Sequence, residues 1–331
     1  MAPFKSSLAR SGKKLLGLFN QRDLTLRGAT QSIRDDNSPI SASGGTKITS
    51  GSNIYHVFLS NQNFEVTDGR NDIELLVVGG GGGTAYNYAG GGGGGGVAHG
   101  PSVLVTPGTY PVIVGDGGAQ TPTTGGNPSS PGTLSSIVLP AGTIRGLGGG
   151  TGSIDVYQTG PADFINGGSG GGNADDPSSN SGDATQPGEP NFGIGIVHYG
   201  NPGYGPPSGN APGPQADGGG GGGAGEGGGP GHTDRKAGGA GQPFPNFPAP
   251  VIAPAIPSPV RSNWTSTVGP TGIFAGGGSG SLGPSTRTAG GGGGAESNIN
   301  AIQYTGGGGG GKNAASGGSG GQGIVIIRYS T

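Results

Sequence analysis

Apolar, β-branched residues form short runs at both ends of a chain whose middle is rich in glycine. Apolar and polar positions alternate within ITSGSNIYHVFLS (48–60) and NFEVTDG (63–69), so each segment predicts a strand. IELLVV (73–78) predicts a third strand, with Asp68-Gly69 as the turn before it. IVIIRY (324–329) begins with four β-branched residues, which is typical of a strand buried on both faces or in the middle of a sheet.

Two further segments have patterns that predict local structure. Strands at Val103–Thr106 and Thr109–Val114 flank Pro107-Gly108, which predicts a hairpin. The proline-rich stretch Gln242–Pro259 is expected to be stiff and extended, as a strap over the surface or as a protruding loop.

The N-terminal residues have a helical pattern and carry much of the positive charge. Apolar residues at helical spacing predict a short basic amphipathic α-helix over about residues 4–19, followed by a polar linker that ends near Gly45. Seven of the 16 Lys and Arg residues lie within residues 1–36. The helix is either a solvated face or an anchor onto a larger, acidic partner. The anchor candidates are Phe4, Leu8, Lys13, Lys14, Leu15 and Phe19.

Glycine contributes 85 of the 331 residues, about a quarter of the chain, against ~7% in average proteins. This composition is common in disordered chains. However, only 10% of the residues are charged and the net charge is −2, so charge repulsion does not hold the chain open. With 29% hydrophobic residues, a stable fold must also draw on backbone hydrogen bonds and close packing of glycine.

The glycine runs suggest how the backbone alone could build a fold. Glycine has no Cβ, so extended threefold helices of glycine can pack side by side at short distance. Their N–H and C=O groups point outward and need partners, which neighbouring helices supply. Each run of five to seven glycines would span roughly 15–22 Å. The runs therefore predict a polyglycine-II-type bundle.

Together these patterns predict a mainly β fold. We expect a small β-sandwich frame, closed by the N- and C-terminal strands, around the polyglycine-II-type helix bundle. Residues 1–46 would form an N-terminal helix and linker, and residues 47–331 the glycine-rich domain.

The chain has no cysteine, which excludes disulfides and thiolate metal sites. The longest apolar stretch near the N-terminus, LLGLF, is shorter than a secretory signal requires.

No motif predicts catalysis or a bound cofactor. G-x-G-x-x-G recurs because glycine is abundant, and the glycine run after IELLVV leads into TAYNYAGG, which cannot supply the helix that a phosphate site needs. The four histidines lack metal-ligand spacing, and no Ser/His/Asp grouping stands out. We therefore expect no enzyme activity, cofactor, metal or nucleic-acid partner.

Aromatic residues between the glycine runs are the candidates for binding. They either cap the ends of the bundle and shield its backbone, or offer large rigid surfaces to a glycan or protein receptor. The candidates are Tyr86, Tyr88, Tyr157, Phe164, Phe192, Tyr199, Tyr204, Phe244, Phe247 and Trp264.

Three motifs carry a resemblance to a known family. IELLVVGGGGG, TPGTYPVIVGDGG and the C-terminal GGSGGQGIVIIRY resemble the glycine-rich domain of bacteriophage tail-fibre and other virion proteins. The resemblance covers about residues 47–331 and is most specific at its two ends.

The resemblance implies a virion surface protein, made in the host cytoplasm and exposed on the phage particle. As a tail fibre or fibre-tip adhesin, it would bind a host surface glycan or outer-membrane protein through loops between its glycine runs. Residues 1–46 would fasten it to other virion proteins of the tail or capsid. The alternative is a capsid decoration or head-fibre protein without a receptor role. A homo-oligomer is possible, although no heptad repeat supports a trimer.

Overall fold

The computed structural model describes residues 38–86, 89–121, 129–153, 164–174, 181–204, 218–229, 237–280, 288–296, 299–311 and 317–331. The described chain is mainly β, as predicted, and its strands pair antiparallel. The strands are β1 (Ser38–Ser43), β2 (Thr46–Ser50), β3 (Asn53–Phe58), β4 (Gln62–Val78), β5 (Val97–Val105), β6 (Gly108–Ile113), β7 (Ser135–Leu139), β8 (Gly142–Gly146), β9 (Val197–Tyr199), β10 (Gln242–Pro243), β11 (Ile273–Phe274) and β12 (Ile324–Ser330). The α-helices are α1 (Ala249–Ile252) and α2 (Ser258–Val268). Within the described residues, no helix combines the length and apolar character needed to cross a membrane.

The long strand β4 belongs to two sheets. Its first half pairs with β1 and β6, and β6 continues through β7 to β8. We call these strands sheet A. Its second half pairs with β12 and β5, and this sheet also includes β3, β2 and β9. We call these strands sheet B. The exchange of partners along β4 therefore marks the place where one sheet passes into the other.

The predicted turn at Asp68-Gly69 is wrong, because β4 runs through it without a break. Gly69 has φ +85°, and a Cβ there would lie 2.1 Å from the carbonyl oxygen of Pro39. The pairing of β1 with β4 shifts register at the same place. Glycine therefore permits a close approach and an irregular register in a continuous strand, and not a reversal of the chain.

The predicted strands on either side of Pro107-Gly108 exist, but they do not form a hairpin with each other. Both lie along one edge of β4, where Asn71 pairs with Val105 and Val66 pairs with Gly108. The Tyr110 hydroxyl donates a hydrogen bond to the Thr106 carbonyl oxygen at 2.6 Å and fixes the corner between them. β5 and β6 therefore follow β4 from one sheet into the other.

The C-terminal strand lies in the middle of sheet B, as predicted. β12 is hydrogen-bonded to β3 on one side and to β4 on the other. Val325 and Ile327 face sheet A, whereas Ile324 and Ile326 face the opposite side, and all four are fully buried. Apolar side chains on both faces let this strand join two cores.

The first core lies between sheets A and B. Its largest fully buried side chains are Phe58, Phe64, Ile73, Leu75, Ile137 and Ile144. The two sheets thus enclose an apolar layer.

The second core covers the outer face of sheet B and corrects the prediction for Gln242–Pro259. This stretch is not an extended strap, because α1 and a 3₁₀ turn at Ala253–Ala255 lie within it and α2 begins at its end. Proline occupies the first turn of each helical segment, where its missing N–H costs little. The fully buried residues here include Phe247, Ile252, Ile256, Trp264, Val268 and Phe274.

The N-terminal boundary of the folded domain also differs from the prediction. Residues 38–46 are not a linker, because β1 pairs with β4 from Ser38 onward and β2 begins at Thr46. Paired strand structure is therefore present within the described residues before residue 47. The predicted helix at residues 4–19 lies outside the described residues.

Glycine-rich segments continue directly from the strands of both sheets. Segment 79–84 follows β4, and segment 90–96 leads into β5. The same continuity holds for the segments that follow β6 and β8 and for those that precede β7 and β12. The glycine segments therefore extend from the ends of these strands.

Candidate functional site

Segment 90–96 donates hydrogen bonds to its neighbours with a period of three residues. The amides of Gly90, Gly93 and Gly96 all donate to segment 147–153, at 2.8–3.2 Å. Each step of three residues forward from Gly90 to Gly96 corresponds to a step of three residues backward from Ser153 to Leu147. The two segments are therefore antiparallel and in regular register.

The remaining amides of the same segment reach two other neighbours. Gly91 and Gly94 donate to Gly219 and Gly222 at 2.9 and 2.8 Å. The amides of Gly92 and Gly95 donate at 2.9 and 2.7 Å to segment 306–311, in antiparallel register. The three sets of amides thus point in three directions.

Carbonyl groups of segment 90–96 accept from three more neighbours. Gly79 and Gly82 donate to it, as do Ser169 and Gly172, and a sixth segment contributes the amide of Gly278 at 2.9 Å. Segment 90–96 is therefore surrounded by six segments. We call the assembly the glycine lattice; its segments are 79–84, 90–96, 115–121, 129–134, 147–153, 167–173, 218–223, 275–280, 306–311 and 317–323.

The same three-residue period recurs in segment 79–84. Gly80 and Gly83 donate to Thr133 and Ser130, whereas Gly81 and Thr84 donate to segment 317–323. The period is thus a property of the lattice and not of one segment.

Close packing explains why these positions are glycine. A Cβ on any residue from Gly90 to Gly95 would lie 2.0–2.4 Å from a backbone oxygen of another segment. Such contacts cannot be relieved by rotating a side chain, because the obstacle is backbone. At Thr84, which is fully buried, the hydroxyl instead donates to Gly310 at 2.9 Å and accepts from Gly318 at 2.8 Å.

The described residues farthest from the strands form one end of the lattice, which we call the distal end. It is defined by Thr84, Thr121, Ser153, Asn173 and Tyr204. The amide of Thr121 donates to Thr84 at 3.1 Å, and that of Asn173 donates to Tyr204 at 3.0 Å. Lattice segments that are far apart in sequence therefore end side by side here.

Three of the predicted aromatic candidates lie at or near the distal end and are partly exposed. Tyr86 follows Thr84 by two residues, and Phe164 accepts hydrogen bonds from Thr151 through its carbonyl oxygen. The amide of Tyr204 donates to Gly220 at 2.9 Å, so its backbone is part of the lattice. Tyr88 and Tyr157 lie outside the described residues.

The other five candidates lie elsewhere. Phe244, Phe247 and Trp264 are buried in the second core, so they have no surface to offer to a receptor. Tyr199 packs edge-on against Phe244, with ring centroids 5.5 Å apart. Phe192 is 37% exposed and follows the end of a 3₁₀ turn near the β7–β8 connection, not at the distal end. The anchor candidates, Phe4, Leu8, Lys13, Lys14, Leu15 and Phe19, all lie outside the described residues.

A polar cluster inside sheet B was not predicted. Glu74 Oε2 lies 2.7 Å from Arg328 Nη1, and Glu74 Oε1 lies 3.0 Å from His99 Nε2. Asn246 Nδ2 donates to both carboxylate oxygens at 3.1 and 3.0 Å. The sequence feature that could have indicated this cluster is the presence of Glu74, His99 and Arg328 within otherwise apolar strands. Three strands and the loop before α1 meet at this one carboxylate.

The cluster holds elements of the fold together. Burial alone would raise the pKa of the Glu74 carboxyl group, but hydrogen bonds from His99, Asn246 and Arg328 outweigh burial and lower it. The carboxylate is thus kept charged and fully engaged. No group of three His, Cys, Asp or Glu side chains in the described part of the chain could hold a metal ion.

His56 forms a second buried polar contact, in the first core. Its Nδ1 lies 2.7 Å from the carbonyl oxygen of Gly44, and its Nε2 lies 3.0 Å from the hydroxyl of Tyr329. Burial lowers the pKa of His56, the Gly44 hydrogen bond opposes that shift, and the charge of Lys47 adds to it. The ring therefore links β3 and β12 to the connection between β1 and β2.

Comparison with known proteins assigns the described fold to a family. A family model described as a glycine-rich domain matches residues 58–330, from the end of β3 to the end of β12. No curated protein matches the chain.

Proposed function

We propose, from the premise that the chain belongs to the glycine-rich domain family, that it is a non-enzymatic structural protein of a bacteriophage virion. Its role would be that of a tail fibre or fibre tip that attaches the particle to the host surface. In this proposal the sheets and the glycine lattice are a rigid platform. The loops that connect the lattice segments bind the receptor.

The observation that carries the proposal is the convergence of the chain at the distal end. Lattice segments that are far apart in sequence end side by side there, as the contacts of Thr84 with Thr121 and of Asn173 with Tyr204 illustrate. A surface assembled from many connections can vary in sequence while the lattice beneath it stays constant. A variable surface on a constant lattice suits a protein that binds a receptor.

The proposed platform is a polyglycine-II-type bundle. The three-residue period of the hydrogen bonds and the six neighbours of segment 90–96 support this assignment. A lattice fixed by strands at one end costs less entropy when its far end binds a ligand, because the connections are already anchored. Rigidity of the platform thus favours attachment.

The placement on a phage particle rests on the resemblance of the terminal motifs to virion proteins. The segment before Ser38 would provide attachment to the tail or capsid. The receptor would be a glycan or an outer-membrane protein, contacted by partly exposed residues such as Tyr86, Phe164 and Tyr204.

Immunogold labelling of purified phage particles that encode this chain tests the proposal. We expect label at the tips of the tail, with few copies on each particle. Label spread over the capsid would instead favour a decoration protein without a receptor role. Particles that carry no label would refute a virion location.

Receptor binding needs a second experiment on the same protein. Purified full-length chain, fluorescently labelled, is added to cells of the phage's host, and competition with phage adsorption is measured. Tyr204→Ala should weaken binding at least several-fold, whereas the matched variant Tyr199→Ala, on sheet B, should not. Equal effects of the two substitutions on binding would show that the distal end is not the binding surface.

A further inference from the structure

Sheet A carries an apolar patch on its solvent-facing side. Ile113, Leu134 and Val138 have 44%, 39% and 42% of their surface exposed, and Pro111 is also exposed. The register Val112 with Ile137 places Pro111 opposite Val138, on the face away from the core. We call these four residues the outer patch.

The β-sheet register makes the outer patch continuous. Ile113 pairs with Ser136, which is two residues from Val138 on the same face of β7 and two residues after Leu134, which precedes β7. Cross-strand neighbours on one face are about 4.5–5.5 Å apart. Four apolar side chains are therefore adjacent and uncovered within the described chain.

The charges bordering the outer patch are mainly negative. Glu65 lies on the same face of β4, and exposed Asp116 lies beside Thr133, whose amide donates to its carbonyl oxygen at 2.9 Å. Arg145 lies on the same face, and its Nη1 is 3.9 Å from Glu189 Oε2. A basic, apolar partner would complement this surface.

The chain itself contains a segment of that chemistry. Residues 1–37 have seven Lys and Arg against three Asp, which gives them a formal charge of +4 and leaves −6 for residues 38–331. Their apolar residues at helical spacing need a face to pack against. These residues join the described domain at Ser38, which begins β1 and pairs with Arg70 of β4 in sheet A.

The distance from the entry point to the outer patch is short for this length of chain. β1, β4, β6 and β7 are successive strands of sheet A, so three strand spacings of about 4.8 Å, or roughly 15 Å, separate β1 from β7. Along β4, Ser38 lies opposite Arg70 and Pro111 lies opposite Asn63, an offset of seven residues or about 23 Å, so the direct distance is roughly 27 Å. The stretch between Phe19 and Ser38 could span well over 40 Å if extended. Covalent attachment also keeps the local concentration of the segment high.

We propose that residues 1–37 dock on the outer patch of sheet A in the free protein, with their apolar residues on Ile113 and Val138 and their cations near Glu65 and Asp116. The contact covers the patch until the segment engages another protein. This inference goes beyond the proposed function and does not rest on it.

Disulfide trapping in the full-length chain tests the contact, because the natural chain has no cysteine. Phe19→Cys is combined with Val138→Cys, and in a matched control with Ser262→Cys, an exposed position of α2 beyond sheet B. With a mild oxidant at low protein concentration, we expect an intramolecular disulfide at least ten-fold faster for the first pair. Equal rates would overturn the proposal, and so would mainly intermolecular disulfides between two Val138→Cys positions.

Limited trypsin digestion gives an independent readout on chains without added cysteine. Docking should protect Lys13, Lys14 and Arg22 from cleavage, and Ile113→Glu should increase the cleavage rate several-fold while Thr109→Glu should not. Near-ultraviolet circular dichroism confirms that both variants are folded. Unchanged cleavage in folded Ile113→Glu would contradict docking, whatever the labelling of particles shows.

Discussion

The amide of Gly92 donates to the carbonyl oxygen of Gly309 at 2.9 Å, and a Cβ on Gly92 would lie only 2.2 Å from the carbonyl oxygen of Gly82. One residue thus joins three segments that are distant in sequence. The same absence of a side chain that permits the hydrogen bond also forbids substitution.

Gly92→Ala should therefore destabilise the protein. The methyl group must push backbone away on more than one side, since Gly309 N is also 3.0 Å from the added Cβ. Overpacking of this kind costs about 1–3 kcal/mol or more. Urea unfolding followed by circular dichroism measures the loss.

The matched control is Gly291→Ala. Nothing lies within 4 Å of a Cβ added there, and the backbone of Gly291 is not in the left-handed region. We expect a change below about 0.5 kcal/mol, as for ordinary surface substitutions. Similar losses in the two variants would mean that lattice packing does not limit the residue type.

Thr84→Val tests a buried hydroxyl that bridges two lattice segments through Gly310 and Gly318. The replacement keeps the shape but leaves buried backbone groups with fewer partners, so we expect a loss of about 1–3 kcal/mol. Thr109→Val, at an exposed position of β6, should change the free energy of unfolding little. Equal stability of the two variants would show that the Thr84 hydroxyl contributes nothing.

His56 should make stability depend on pH below about 6.5. Burial lowers its pKa in the folded protein, so the unfolded chain takes up a proton first as pH falls. Above about pH 6.5, His56 should not affect the free energy of unfolding. Below that pH, the free energy of unfolding should decrease as the pH falls towards the lowered pKa of His56. The slope can reach about 1.4 kcal/mol per pH unit.

His56→Gln removes this titration while retaining a polar side chain. In urea titrations between pH 5 and 8, the variant should show a smaller decrease towards low pH than the natural protein. Parallel curves for the two proteins would rule out His56 as the source of the dependence.

Glu74 and Arg328 should be coupled strongly in a double-mutant cycle. Glu74→Gln and Arg328→Met, alone and together, should give a coupling energy of about 1.5–3 kcal/mol, because the hydrogen bond joins charged and mostly buried groups. The more exposed pair Arg145 and Glu189, 3.9 Å apart, should give less than about 1 kcal/mol. A coupling energy no larger than that of the exposed pair would show that the ion pair of Glu74 and Arg328 does not hold the strands together.

The same cluster has a predictable pH dependence. The pKa of Glu74 is lowered in the folded protein, so its stabilising effect is complete above the unfolded value and is lost as pH falls through the folded one. This loss begins as pH falls below about 4.5, whereas the loss from His56 begins below about 6.5. Glu74→Gln should flatten only the more acidic part of the profile.

The sequence was sufficient for features that depend on local pattern. IVIIRY is apolar on both faces, so its position between two strands followed from the residues alone. The importance of backbone hydrogen bonds also followed, because glycine leaves no side chains to pack. Identical runs, however, cannot specify which segments are neighbours. That order is set by the strands to which the runs are joined.

Tertiary packing decided the remaining elements. Gly69 fits both a turn and an irregular strand, and the approach of Pro39 in β1 selects the strand. The Pro-rich stretch was predicted as extended, although Trp264 and Val268 are four residues apart on the buried face of α2. The burial of Phe244 and Phe247 depends on the outer face of sheet B, which the chain alone did not reveal.

Amide hydrogen exchange of uniformly ¹⁵N-labelled protein tests whether the glycine segments form one rigid block. We predict that the amides of Gly91–Gly95 exchange with solvent as slowly as those of the core strand β12, because each donates to another segment. Exchange at the rate of an unstructured peptide in Gly91–Gly95, with β12 still protected, would contradict the account.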